Sequence, residues 1–253
     1  MRRTALALLG LAAAATAAAE TVSYEAEYDL FADRALRGGF EDAYGTMRIA
    51  RQARCDSVTE TQALEAVFVA RGEQSFLSQA VTTTTQRDQS RFVMTITQRG
   101  LGGETVRRRI AAERADGAVV IAIDGEPIGR APLETLFPEA FFDAALDAAA
   151  EGEAGFDALL FDGVGPDAFF VSVNIGAPQT YAGDHAGEPL RRIAAWPMRA
   201  AYFAREDRGA RALLNTEALL DADGVVHGAV IPLAPATMQA QLSSLRYLET
   251  PAC

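Results

Sequence analysis

The sequence predicts a mostly β fold, in which a long antiparallel sheet meanders from strand to strand and one amphipathic helix interrupts it. Apolar and polar residues alternate with a period of two in most segments, as in strands with one buried face. Gly-Gly and Asp-Gly pairs separate these segments, and such pairs are typical of hairpin turns. A single stretch near residue 140 has the spacing of a helix instead.

The chain begins with two arginines, an apolar run and then small residues, in the order MRRTALALLGLAAAATAAAE. This order is typical of a secretory signal peptide and predicts cleavage after Ala19. The alternative is a membrane anchor, which needs about 20 apolar residues. The run from Thr4 to Ala19 is shorter than that and rich in alanine. We therefore expect a signal peptide over 1–19 and export of residues 20–253 to an oxidising compartment.

The first half of the exported chain consists of consecutive predicted strands. In TVSYEAEYDLF, apolar residues alternate with polar, mainly acidic ones from Val22 to Leu30, which predicts a strand with one buried face. Further strands are predicted at Tyr44–Ile49, at Leu64–Ala70 and on both sides of the Arg-Asp-Gln-Ser turn. Asp116-Gly117 and Asp124-Gly125 predict two hairpin turns in the segment that follows.

The segment FPEAFFDAALDAAAEGE predicts the helix. Pro138 stands in its first turn and Gly152 just past its end, which are the preferred places of these residue types. Phe141, Phe142 and Leu146 form its apolar edge. We expect this edge to pack into the concave face of the sheet; if it is exposed, it is a candidate hydrophobic surface for a partner.

Strands are predicted again after the helix, with turn signals at Asp162-Gly163 and Asp223-Gly224. The last strand alternates through Met238 and Leu242, and then continues one residue out of phase after Ser243-Ser244. A shift of one residue predicts a β-bulge, which bends a strand. No linker, repeat or low-complexity segment divides the chain, so we expect residues 20–253 to form a single domain.

The composition limits the classes of partner. The net charge is −11, and the loss of Arg2 and Arg3 with the signal peptide takes it to −13. An acidic surface repels nucleic acid and anionic lipid headgroups, so neither is an expected partner. After the signal peptide, no stretch is long and apolar enough to span a bilayer as a helix.

Cys55 and Cys253 are the two cysteines of the chain. An even number in an exported protein predicts one disulfide, which within the chain would close a loop of nearly the whole domain. A bridge between two chains is the alternative that the residues leave open. A redox-active pair is disfavoured, because the sequence contains no Cys-x-x-Cys motif.

Several segments in order give the chain a family resemblance. The internal "ARCDS", the "LFPEAFFDAALDAAAEGE" helix, "LLFDGVG", "VNIGAP", "WPMRAAYF" and "LRYLETPAC" resemble the EipB-type periplasmic cell-envelope integrity family, over Ser23–Cys253. The resemblance implies a long antiparallel meander wound into a β-spiral or open barrel with one central helix. It also implies a Gram-negative periplasmic protein that supports the envelope under stress, and a disulfide between Cys55 and Cys253. It implies no catalytic residues.

The two histidines are weak candidates for chemistry. His227 alternates with Val225 and Ala229, which favours a structural role in or near the core. His185 stands beside an aspartate in a glycine-rich loop, but no G-x-S-x-G motif supplies a nucleophile. Zinc needs three or four ligands, and the sequence contains no His/Cys cluster.

Three short motifs also favour structural roles. Gly163–Ala168 imitates a dinucleotide-binding turn, but a predicted strand follows it where that fold requires a helix. Asp221–Gly224 imitates the start of a calcium loop and lacks its remaining ligands, so a hairpin is predicted. Arg107–Arg109 alternate across a strand, and we expect them to pair with carboxylates and not with phosphate.

The sequence therefore predicts a non-enzymatic periplasmic protein that needs no cofactor and no metal. It would support cell-envelope integrity by binding an unidentified periplasmic envelope protein or a lipid. Two alternatives stay open: a carrier of a lipid or another hydrophobic ligand, and an envelope-acting hydrolase whose carboxylates come from distant parts of the chain.

Overall fold

The computed structural model describes residues 22–32, 40–181, 184–185, 188–189, 193–207, 211–233 and 236–253. The predicted signal peptide 1–19 and the side chain of the candidate His185 lie outside the described part. The strands and the helix have these bounds: β1 Ser23–Ala32, β2 Asp42–Ala53, β3 Ser57–Ala70, β4 Glu73–Gln86, β5 Arg91–Arg99, β6 Thr105–Ala115, β7 Ala118–Ile123, β8 Glu126–Pro132, α1 Pro138–Glu151, β9 Gly155–Leu160, β10 Phe169–Ile175, β11 Gln179–Tyr181, β12 Asp184–His185, β13 Glu188–Pro189, β14 Ile193–Ala204, β15 Leu214–Asp221, β16 Val226–Leu233 and β17 Ala236–Leu248.

One 15-stranded antiparallel sheet contains all of these strands except the short β12–β13 pair. Its order is β8-β7-β6-β5-β4-β3-β2-β1-β17-β16-β15-β14-β10-β9, with β11 beside β14. The chain thus runs outward from β1 to β8, crosses through α1, and returns from β9 to β17, which pairs with β1. The predicted meander, open barrel and central helix are confirmed.

The sheet stays open between its two edge strands, β8 and β9, and the segment that joins them turns inward. Leu136 forms a parallel bridge with Leu160, and the Phe161 amide donates to the Leu136 carbonyl at 2.9 Å. Phe137 and Phe161 then pack on Phe92 of β5, with ring centroids 5.7 Å and 5.9 Å apart. The loop after β9 therefore lies on the inner face of β5–β8, as in a rolled sheet whose ends overlap.

Local sequence signals set the turns and one bend. Asp116 and Asp124 have φ of 51° and 52° and are followed by glycines with φ of 72° and 93°. Positive φ at both central residues is the type I′ pattern that matches strand twist, which is why Asp-Gly occupies these turns. In β17, Ser244 pairs with Glu27 and Leu242 with Tyr28, so Ser243 is the extra residue of a bulge. The predicted bulge is confirmed.

The helix α1 has the predicted caps, but its apolar edge is divided. Pro138 is at its start, and Gly152 ends it with φ of 77°. Phe141 and Leu146 are buried, with 6% and 9% exposure, whereas Phe142 is 39% exposed. The expectation that Phe142 packs into the core is wrong. Phe141 and Leu146 are buried, so the proposal that they form a hydrophobic surface for a partner is also wrong. Successive helical residues differ by about 100° in direction, so neighbouring phenylalanines face different surroundings.

A disulfide joins Cys55, just before β3, to Cys253, five residues after β17 ends. The two sulfurs are 2.10 Å apart and the Cα atoms 5.4 Å apart, so the predicted bridge lies within one chain. Close to it, Ser23 and Thr250 share two hydrogen bonds, of 3.2 Å and 3.3 Å. These contacts fix the segment after β17 to the rim formed by β1 and β3.

Removal of this disulfide should destabilise the protein strongly. The bridged residues are 198 apart in sequence, and the chain-entropy model gives about 5 kcal/mol for a loop of this length. We expect Cys55→Ser, Cys253→Ser and the double variant to lose similar free energies of unfolding in urea titrations, because each removes the same bond. Reductant should lower the Tm of the wild type and leave the Tm of the double variant unchanged. Two free thiols in the intact mass of the exported protein would contradict this account.

The neighbouring phenylalanines of α1 give a matched pair for stability. Phe141→Ala should cost about 3–5 kcal/mol in free energy of unfolding, because it leaves a cavity in a packed core. Phe142→Ala should cost less than about 1 kcal/mol, because that ring is partly in solvent. Chemical denaturation of the two variants measures both values, and equal losses would show that the ring of Phe142 is packed as tightly as that of Phe141.

Candidate functional site

A cavity of about 640 Å³ lies between the inner face of β3–β6 and the start of α1. Its floor consists of inward-facing residues of the four strands, and residues 162–164 and the first turns of α1 form its cover. Gly163 closes over Met94 and Phe92; a Cβ there would lie 2.8 Å from the Met94 methyl carbon. The cover therefore touches the floor at one end, and the rest of the space stays open.

The middle of the floor is apolar. Val81 of β4 lies opposite Ile96 of β5, and Met94 of β5 lies opposite Ile110 of β6. These four side chains line the cavity together with Ile123. Their alternation along each strand is the period-two pattern of the sequence, so the apolar floor is a direct consequence of strand patterning.

A buried ion pair stands at the β2–β3 side of the cavity. Arg51 of β2 donates from Nη2 to both carboxylate oxygens of Glu139, at 2.6 Å and 2.7 Å. Arg51 Nη1 lies 3.7 Å from Glu60 Oε2, and Glu60 faces Arg51 directly across the β2–β3 ladder. Arg51 and Glu139 are 9% and 7% exposed. The pair therefore links the first turn of the helix to the sheet.

The position of Glu139 is favourable for a second reason. An acidic side chain in the first turn of a helix is stabilised by the unpaired backbone amides and the dipole there. Pro138 and Glu139 thus favour a helix that begins at this position. Arg51 binds the first turn of that helix to the sheet.

Burial changes the acidity of the carboxyl groups around the cavity. Burial raises the pKa of Glu60, and the nearby Arg51 only partly offsets this effect. Burial likewise raises the pKa of Asp162 in the cover. In α1, burial and then repulsion from Glu139 raise the pKa of Asp143 to about 6. Each of these carboxyl groups has a folded-state pKa above its unfolded value. Its contribution to the free energy of unfolding is therefore fully present below the unfolded pKa and is lost as the pH rises through the folded pKa.

The mouth of the cavity has a different character. Phe142, Val106 and Val164 stand there with 39%, 46% and 79% exposure. Arg108 of β6 and Glu104, the residue just before β6, line the same side. Exposed apolar side chains around an opening are typical of a surface that contacts a ligand or a partner.

The candidate histidine His227 lies away from this cavity lining and has a structural contact. It is fully buried, and its Nε2 is 2.7 Å from Asp221 Oδ2. Asp221 Oδ1 also accepts the amides of Asp223 and Val225, each at 2.9 Å. Asp221–Gly224 is thus a hairpin turn held by an aspartate, as predicted. Among the described residues, no group of three or more His, Cys, Asp or Glu could hold a metal ion.

The remaining motifs lie in strands and loops. Gly163–Ala168 belongs to the loop that joins the antiparallel strands β9 and β10, as the hairpin prediction implies. The expectation that Arg107–Arg109 pair with carboxylates is wrong within the described part of the chain, where no ion pair includes them. The register explains this, because their partners on β5 are Thr97, Ile96 and Thr95.

Sequence reasoning missed the cluster of Arg51, Glu60 and Glu139. Two signals were present in the sequence. Arg51 shares its strand face with Met47 and Ile49, whose alternation predicts an inner face, and Glu60 shares its face with Leu64. A charge on a buried face needs a partner of opposite sign.

These features define a class of protein: one open, rolled antiparallel sheet whose inner face is partly covered by a helix, with a cavity between them. The family model described as EipB-like matches residues 15–249, and the chain belongs to the EipB-like family.

One solved structure supports the fold. The crystal structure of a β-barrel-like protein of a domain of unknown function from Brucella abortus superposes with a TM-score of 0.80. The sequence identity is 20%, and the alignment covers 90% of this chain and 98% of that one. No curated protein matches the chain. No helix in the described ranges has the length and apolar character to cross a membrane.

The buried ion pair leads to a stability prediction with a matched control on the same strand. Arg51→Ala should cost about 3–5 kcal/mol in free energy of unfolding, because it removes the cation that donates two hydrogen bonds to the buried carboxylate of Glu139. Arg48→Ala removes the ion pair with Glu27, whose side chains are 75% and 53% exposed, and should cost less than about 1 kcal/mol. Urea titration of both variants at neutral pH measures the difference, and equal small losses would mean that the helix is not anchored through Arg51.

Proposed function

We propose that this chain is a periplasmic protein of the cell envelope that acts by binding, and that it holds a small amphiphilic ligand in the cavity under α1. The observation that carries the proposal is the cavity of about 640 Å³. This volume is within the range of about 300–1,000 Å³ that is usual for small-molecule sites. An apolar floor with charged groups at its sides fits a ligand that has an apolar body and a polar group.

Binding is favoured over catalysis by the residue types around the cavity. The described lining residues include no serine, cysteine or histidine, the side chains that most often act as nucleophile or general base. Four acids line the cavity, Glu60, Glu104, Glu139 and Asp162, and two of them, Glu60 and Glu139, pair with Arg51. The hydrolase alternative would have to rely on these carboxylates alone, whereas the carrier alternative needs only the cavity and its apolar floor.

The cellular location rests on three observations. The predicted signal peptide at 1–19 would direct export, the disulfide is typical of an oxidising compartment, and the EipB-like family membership agrees with the envelope. Support of envelope integrity is the role that this location and the proposed ligand site suggest.

A second candidate function is the binding of a periplasmic protein partner, and a row of side chains on the outer face favours it. Phe31 of β1 pairs with Tyr44 of β2, Tyr44 with Val67 of β3, and Val67 with Phe76 of β4. The three aromatic residues are 39%, 44% and 61% exposed. Exposed aromatic residues are enriched in protein–protein interfaces.

A bulky side chain on the cavity floor tests the proposed ligand site. Val81 faces the cavity, and the next residue, Thr82, faces the exposed outer surface of the same strand. We expect the neutral probe N-phenyl-1-naphthylamine to bind the wild type saturably in a fluorescence titration. Val81→Trp should weaken this binding at least about 10-fold by filling the cavity, whereas Thr82→Trp should change it less than about twofold. Matching far-ultraviolet circular dichroism spectra would establish that both variants fold. Equal binding by Val81→Trp and the wild type would overturn the proposal.

A further inference from the structure

The charge at the cavity mouth leads to a more specific statement about the ligand, which rests on the proposed function. Arg108 lies on the inner face of β6 between Val106 and Ile110, and its cross-strand partner is Ile96. Its guanidinium group therefore stands at the end of the apolar floor, where that floor opens to solvent.

Arg108 has no anionic partner in the described part of the chain. No described carboxylate lies within 4.0 Å of it, whereas the exposed arginines Arg48, Arg91 and Arg199 each pair with a glutamate across a strand ladder. Arg107 and Arg109 also lack an ion pair among the described residues, but Arg108 is the one of these three arginines that lines the cavity. An exposed cation beside apolar side chains, without an internal partner, is complementary to an anion that brings its own apolar group.

The acids that line the cavity do not occupy this position. Glu60 and Glu139 share Arg51 on the far side of the floor, where β3 and β2 are three and four strands away from β6. Glu104 lies just before β6, four residues ahead of Arg108, and its carboxylate lies against Gly100 and Gly102 of the preceding turn. Asp162 belongs to the cover, beside the glycine that contacts Met94. Glu104 is thus the acid on the same side of the mouth as Arg108, but among the described residues no ion pair joins the two.

We infer that the cavity binds a single-chain amphiphile with a carboxylate head, whose head pairs with Arg108 and whose hydrocarbon chain lies on Val81, Ile96 and Ile110. A guanidinium fork matches the two oxygens of a carboxylate, which favours a bidentate pair. The alkyl chain fits the apolar side chains without leaving an unpaired polar group. Arg51, the other arginine that lines the cavity, is already paired with Glu139 and Glu60, so the carboxylate head would depend on Arg108.

Competition of two charged amphiphiles against the neutral probe tests the inference. N-phenyl-1-naphthylamine is bound first, and dodecanoate or dodecylammonium of equal chain length is then titrated below its micellar concentration. In the wild type, dodecanoate should displace the probe at a concentration at least about 10-fold lower than dodecylammonium. Arg108→Gln should weaken dodecanoate about 10-fold and abolish the preference. Arg107→Gln, which removes the same charge from the outer face of the same strand, should change neither affinity more than about twofold.

The outcomes separate the two proposals. If the probe binds and the two amphiphiles compete equally, or if Arg107→Gln has the same effect as Arg108→Gln, the carboxylate inference is overturned and the cavity proposal stands. If the probe itself does not bind to the wild type, the cavity proposal fails first. A preference that weakens as salt rises from 20 mM to 300 mM would agree with an exposed ion pair, because salt screens such pairs.

Discussion

The pairing of β1 with β17 is the constraint on which the rest of the structure depends. It joins ten residues of β1, from Ser23 to Ala32, to the last strand of the sheet. Without it, the outward run β1–β8 and the returning run β9–β17 would be two separate sheets, each with one more exposed edge. Exposed edges invite pairing with other chains, so joining them removes a hazard as well as making one continuous sheet. The disulfide and the Ser23–Thr250 hydrogen bonds lie at the end of this pairing and keep it from fraying.

The cavity follows from how the sheet is left open. Because the sheet does not close between β8 and β9, the connection between these strands must cross the inner face. Helix α1 is part of this connection. The ion pair between Arg51 and Glu139 then fixes the start of the helix over β2 and β3. A buried ion pair is a poor source of net stability, but it specifies a position, because displacement would leave two buried charges unpaired. Here the specified position keeps the helix beside the apolar floor without filling it.

Local patterning predicted most of the fold. The period-two segments, the Asp-Gly turns, the helix with Pro138 and Gly152, and the shift at Ser243 each depend on near neighbours, so the sequence contains the signal. The cavity, the link from Arg51 to Glu139 and the unpaired Arg108 depend on which distant strands lie opposite one another. Glu139 is 88 residues from Arg51 in the chain, and no local signal relates them. The exposure of Phe142 was not predictable from the sequence for the same reason. Its neighbour Phe141 lies in the core, whereas Phe142 lies beside the cavity, which is formed by distant strands.

The central claim is that the space under α1 holds a ligand, and native mass spectrometry of the protein produced in its own host bacterium tests this most directly. The protein would be purified from the periplasmic fraction without detergent and sprayed from a volatile buffer. The account predicts the mass of the mature polypeptide plus a non-covalent species of a few hundred daltons, released on collisional activation and identifiable by fragmentation. A spectrum that contains the polypeptide mass alone, under the gentlest conditions that preserve the folded charge states, would contradict it.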